Sequence, residues 1–94
     1  MDNSNTFETS ISLYNEFGLH ARPAGRIASA AQQFESQVKI ILNGKEVDAK
    51  SILDILSLAA PQGSDLRIFA QGTDAQHAVE HLKALIRDKL GREE

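Results

Sequence analysis

The sequence predicts an α+β fold in which four antiparallel strands form one sheet and three helices cover one of its faces. Three observations predict it. Short segments alternate apolar and polar residues with the period of two that marks a strand with one buried face. Longer segments place apolar residues at the three-then-four spacing of an amphipathic helix. Asn43-Gly44 is the strongest short hairpin signal, so at least one strand pair is antiparallel. Strands that each bury a single face need cover on one side only, which gathers the helices there.

The elements follow in chain order. Phe7, Thr9, Ile11 and Leu13 alternate with Glu8, Ser10, Ser12 and Tyr14, a first strand. Gly18 supplies an unusual backbone angle in the connection, and a helix opens at about Ala21. Pro23 has no N–H to lose in a first turn whose donors are unpaired anyway. Ala24, Ile27, Ala28, Ala31 and Phe34 then mark its buried face. Val38, Ile40 and Leu42 form the second strand. Asn43-Gly44 turns it into a third that includes Val47 and Ala49. Ser51 caps a short helix running to about Leu58, in which Ile52, Ile55 and Leu56 fill the core and Leu53 points away from it. Ala59 to Ser64 form an exit loop around Pro61 and Gly63, and Leu66, Ile68 and Ala70 make the fourth strand. The last helix buries Ala75, Ala78, Val79, Leu82, Leu85 and Ile86, with Thr73 and Gln76 as its capping box.

Composition bounds the function. The 94 residues make one domain, 1–94, with 1–6 and 91–94 expected as loose tails. At 41% hydrophobic and 24% charged residues, this is the make-up of an ordinary soluble protein. A net charge of −3 with no basic run gives no attraction for nucleic acid or an anionic membrane. No cysteine is present, which excludes disulfide and thiol chemistry and fits a reducing compartment. Met1 to Thr6 is polar, unlike a secretory signal, and no stretch has the length to insert in a bilayer, so the expected location is the cytoplasm.

The chemistry concentrates in Gly18-Leu19-His20-Ala21-Arg22-Pro23-Ala24-Gly25. His20 falls at the cap of the first helix, where free backbone N–H groups and the positive end of the helix dipole favour an anion. Arg22 adds a planar, always-charged fork for phosphate oxygens. A histidine nucleophile in that setting points to phosphoryl chemistry. His77 and His81, four apart on the last helix, are neighbours that fit a solvated face; no third ligand accompanies them, so no metal site is expected.

The whole string resembles the active-site sequence of HPr, the histidine-containing phosphocarrier of the bacterial phosphoenolpyruvate-dependent sugar phosphotransferase system. The resemblance continues in order through Asn43-Gly44-Lys45, Ala49-Lys50-Ser51-Ile52-Leu53, Leu56-Ser57-Leu58 and Ala78-Val79-Glu80-His81-Leu82, covering about Phe7 to Leu90. It implies an open-faced β-sandwich and supplies the strand order, which the sequence itself leaves open. It implies that phosphorylated enzyme I donates a phosphoryl group to Nδ1 of His20 and that the group passes to a sugar-specific enzyme IIA domain, with Arg22 stabilising the transferring oxygens. The protein would be a stoichiometric, monomeric carrier and not a stand-alone enzyme, without a metal or organic cofactor.

Ser51 matches the serine that a dedicated HPr kinase/phosphorylase modifies in many bacteria, weakening transfer and promoting binding to a transcriptional regulator. The chain departs from those regulated relatives. Asp48 stands where asparagine is usual, Leu53-Asp54 replaces a frequent methionine-glycine pair, and Ala59 replaces a frequent glycine. The carboxylates would repel a phosphate on Ser51. Leu53 is the expected partner-docking residue, and Gly25, where alanine is common, is expected to trim the same contact surface. Two other outputs fit the same residues: an HPr paralogue in a regulatory, nitrogen-type phosphorelay, and a regulatory binding module working through Ser51.

Overall fold

The computed structural model describes residues 5–88 and 90. Its elements are β1 (Thr6–Ser12), α1 (Ala21–Ala31), β2 (Gln37–Leu42), β3 (Lys45–Asp48), α2 (Ile52–Ser57), β4 (Asp65–Gln71) and α3 (Ala75–Asp88). The strands form one antiparallel sheet in the order β1-β4-β2-β3. The last strand in sequence thus lies inside the sheet, pairing Ile68 with Thr9 on one side and Ile40 on the other. Ile40 also faces Val47 across the β2–β3 hairpin. The inward residues Val38, Ile40, Leu66, Ile68 and Ala70 are buried in a single core beneath the helices. On the opposite face Glu8 pairs with Arg67, and Lys39 with Glu46 at 3.4 Å. No helix among the described residues is long and apolar enough to cross a membrane.

The turn at Asn43-Gly44 has φ of 52° and 85°, the two left-handed residues that a type I′ hairpin requires. Three expectations need adjustment. β3 ends at Asp48, although the Ala49 N–H still donates to the Val38 carbonyl at 2.9 Å. β1 begins at Thr6, inside the segment expected to be a loose tail; residues 1–4 and 91–94 lie outside the described residues. α1 ends at Ala31, so Phe34 reaches the core edge from a loop, its ring 5.6 Å from that of His81.

That loop is held by Asp74, whose carboxylate accepts from the backbone N–H groups of Glu35 and Ser36 (both 3.0 Å) and from the Ser36 hydroxyl (2.5 Å). These donors, the Ser36 hydroxyl foremost, lower the Asp74 pKa below the usual carboxylate range. The expected Thr73–Gln76 capping box does not form. α3 starts after Asp74, and Gln76 donates forward to Glu80 at 3.2 Å.

α2 corrects a further expectation. Ile55 is buried and Leu56 packs against the core, but Ile52 is 44% exposed. Side chains on a helix lean toward its N-terminus, so at the first position of a six-residue helix Ile52 projects past the end of the core. Leu53, at 78% exposure, points outward as its spacing predicts.

Candidate functional site

The connection into α1 is built by two crossing loops. Gly18 adopts φ +66°, and a Cβ there would lie 2.1 Å from the Ala60 carbonyl oxygen, so glycine is required twice over. The close approach lets the Leu19 N–H donate to that carbonyl at 2.9 Å. Asn15, 2% exposed, brackets the same glycine: its carbonyl accepts from the Gly18 N–H at 3.1 Å and its side-chain amide donates to the Gly18 carbonyl at 2.5 Å. Its Oδ1 is buried without a hydrogen-bond partner. Gln62 holds the Tyr14 carbonyl at 2.9 Å.

This frame delivers His20 to the N-cap of α1. Its backbone is extended (φ −87°, ψ −169°), and its carbonyl accepts the Ala24 N–H at 3.0 Å. The imidazole takes no part in capping and is half-buried, with the Phe17 ring 6.0 Å away at 85°. Among the described residues the N–H groups of Ala21 and Arg22 have no acceptor, the first turn holds no carboxylate, and the Arg22 side chain is exposed. His20 at this helix N-terminus, with Arg22 two residues further on, brings together the backbone N–H groups, dipole end and charged fork that favour an anion. Pro23 is buried against the core and fixes the start of the helix.

Ser51 caps α2, its Oγ accepting from the Asp54 N–H at 3.2 Å. Both expected carboxylates are close. Asp54 accepts from the Asp48 N–H at 3.3 Å, and Asp48 from the Lys50 N–H at 2.9 Å. His20 and Ser51 are not brought together. Gln32, just past α1, donates to the Lys50 carbonyl at 2.9 Å, whereas Leu19, just before His20, contacts Ala60 beyond α2. The two packed helices are therefore antiparallel, with Ser51 beside the far end of α1.

A family model described as the PTS HPr component phosphorylation site matches residues 7–88. The chain belongs to the HPr family. It is 43% identical over 82 residues to the phosphocarrier protein HPr of Cupriavidus necator, covering 87% of this chain and 92% of that protein. Against the HPr-like protein Crh of Bacillus subtilis it is 41% identical over 73 residues, 78% and 86% of the two chains. A crystal structure of Crh, solved as a dimer with a swapping domain, matches with a TM-score of 0.72 at 38% identity over 83% of this chain and 90% of that one. The crystal structure of HPr from Thermoanaerobacter tengcongensis gives a TM-score of 0.88 at 40% identity, covering 94% and 99%. The family is that of the phosphocarriers of the phosphotransferase system, and its open four-stranded sheet with three helices is the architecture found here.

Within this HPr fold, Gly25 lies in mid-α1 with nothing within 4 Å of where a Cβ would be. Packing inside the protein therefore does not require glycine there. His77 and His81 are both exposed on α3, and among the described residues no three His, Cys, Asp or Glu side chains form a group that could hold a metal ion. Sequence reasoning missed Asn15 and Phe17. The first carries a readable signal, an Asn three residues before a turn glycine. The second has none, because the ring contact with His20 depends on how the loop closes.

Proposed function

We propose that the protein carries a phosphoryl group on His20, taking it from phosphorylated enzyme I and passing it to enzyme IIA domains in phosphoenolpyruvate-dependent sugar uptake. One observation carries this reading: a half-buried imidazole, free of capping duty, stands at a helix N-terminus whose first donors are vacant, with Arg22 in the first turn. In transfer, the Nδ1 lone pair attacks phosphorus in line, the bond from phosphorus to the donor breaks, and the donor keeps that electron pair. The reverse polarity then delivers the group onward, so His20 is nucleophile first and leaving group second. Arg22 and the helix terminus stabilise charge on the equatorial oxygens while leaving the N–P bond labile. The protein acts stoichiometrically, as a cytoplasmic monomer, and is not an enzyme in its own right.

Leu53, with Ile52 exposed beside it, offers an apolar docking spot on α2, and the bare backbone at Gly25 leaves room for a partner on α1. Ser51 is the regulatory position of this reading, the acceptor for an HPr kinase/phosphorylase and the handle for a transcriptional regulator. Asp48 and Asp54 oppose a phosphate there, so Asp54→Asn should raise the rate of Ser51 labelling by such a kinase; an unchanged or lower rate would remove the carboxylates from the account.

Purified protein mixed with enzyme I and radiolabelled phosphoenolpyruvate should acquire acid-labile label, and His20→Ala should not. Label that persists in the variant, or none in the wild type, overturns the reading. A second reading is a regulatory phosphorelay with the same His20 chemistry and a different acceptor; the similarity to Crh, an HPr-like protein, supports a regulatory paralogue in general terms. Transfer to purified enzyme IIA domains of the sugar and the nitrogen-type branches separates the two.

A further inference from the structure

We propose that Phe17 is a partner-recognition residue for transfer at His20, an aromatic anchor covered by an apolar surface of the protein that delivers the phosphoryl group. This rests on the reading of His20 as the phosphoryl acceptor. Exposure alone is no argument, since single surface hydrophobes are ordinary. Position is. The Phe17 ring is 65% exposed, and its centroid is 6.0 Å from that of the imidazole in an edge-to-face arrangement. In-line transfer brings the donor atom to within about 3–3.5 Å of the atom it reacts with. A protein whose reactive side chain approaches that closely covers a ring that already touches the imidazole. A donor protein seated on His20 therefore has Phe17 within its footprint.

The loop also presents the ring in a form suited to binding. Glu16 and Phe17 lie between two fixed points, Asn15 and Gly18, which are tied by the backbone bond of 3.1 Å and the amide bond of 2.5 Å. Gly18 is in turn wedged against Ala60. Such a short, closed loop holds the backbone under the ring before the partner arrives, so less of the contact energy is spent on ordering it. Aromatic anchors of this kind, near the centre of an interface, carry a large share of binding. The centre here is the reacting histidine itself.

A competing role is internal: the ring could simply orient the imidazole. The two are separated by donors of different size. Potassium phosphoramidate phosphorylates an accessible histidine by forming the N–P bond as ammonia leaves, and it needs no docking surface. We therefore compare wild type, Phe17→Ser and Phe17→Leu with two probes, phosphorylated enzyme I at varied carrier concentration and potassium phosphoramidate. Phe17→Ser should raise KM in the enzyme I reaction by about tenfold or more, the scale expected for losing a buried aromatic contact. Its kcat and its rate with phosphoramidate should stay within about twofold of wild type, and Phe17→Leu should recover most of the lost KM. An unchanged KM overturns the assignment. A parallel loss with both donors overturns it too, in favour of a positioning role. Absence of label on wild-type His20 from either donor overturns the carrier reading itself.

Discussion

Replacing Gly25 with alanine should stabilise the protein and weaken partner docking at once. The residue sits at the fifth position of the eleven-residue α1, and the space into which a Cβ would extend is empty out to 4 Å. Glycine in a helix interior is worse than alanine by about 1 kcal/mol at most, largely because it leaves the unfolded chain more freedom. Nothing in the fold offsets that loss. For a domain of this size about 1 kcal/mol corresponds to a rise in Tm of roughly 4–8 °C, readable by circular dichroism or calorimetry. If the bare backbone exists to admit a partner, the added methyl should also raise KM for transfer from enzyme I several-fold while leaving labelling by phosphoramidate unchanged. A Tm that falls would mean the methyl meets something and the space is not open. A Tm that rises with KM unmoved would refute the docking role of Gly25.

Ala59, just beyond α2, holds φ +50°. Left-handed backbone costs a non-glycine residue about 1–2 kcal/mol, and glycine's own entropy offsets part of the relief, so Ala59→Gly should stabilise by about 0.5–1 kcal/mol in denaturant melts. Asp74 should shape the acid limb of stability. Its carboxyl is depressed below the usual range by the Ser36 hydroxyl and the Glu35 and Ser36 N–H groups, so the charged form favours the fold. That contribution is present above the ordinary carboxylate pKa and is lost as pH falls through the lowered one. Asp74→Asn should therefore flatten the loss of stability in that acid range, and an unaltered acid limb would contradict the clamp. Asn15→Ala removes both the amide bond to Gly18 and the orphaned acceptor, for a net loss of about 1–2 kcal/mol. It should also slow labelling of His20 by enzyme I and by phosphoramidate alike, because the loop that delivers the histidine loosens.

Elements with a full local signal were legible in the sequence. The strand alternations, the glycine turn at Asn43-Gly44 and the start of α1 at Ala21 each depend on neighbours within a few residues. The strand order did not, because β4 enters between β1 and β2 through pairings such as Ile11 with Leu66 and Val38 with Ala70, which no local pattern encodes. Thr73–Gln76 satisfied a capping rule that lost to a long-range competitor: the helix starts after Asp74, whose carboxylate serves the loop after α1 instead. Ile52 fitted the apolar spacing of α2 yet lies beyond the end of the core, since a periodic pattern does not say where the layer beneath it stops. At the site, the His20-x-Arg22 spacing and the helix terminus were readable. The support from Asn15 and the contact of Phe17 with His20 belong to loop closure against Ala60.

The antiparallel arrangement of α1 and α2 constrains how the two proposed phosphorylation positions influence one another. α1 alone spans about 16 Å from eleven residues at 1.5 Å each, with His20 at its start and Ser51 anchored through Lys50 to Gln32 at its end. A separation of that order exceeds the roughly 8 Å screening length at physiological ionic strength, so direct repulsion between two phosphates across the surface is weak. No shared donor links them either, since the Asp54 N–H serves Ser51 while the vacant N–H groups next to His20 belong to the first turn of α1. What a docking protein would meet lies near each position: Ile52 and Leu53 are exposed directly after Ser51, and the backbone is open at Gly25 in α1. Under the proposed reading, a phosphate on Ser51 would act on transfer by altering how a partner seats on the two helices. It should raise KM for enzyme I far more than it changes the reaction with phosphoramidate. Equal effects on both would instead require a conformational path through the core that joins the helix ends.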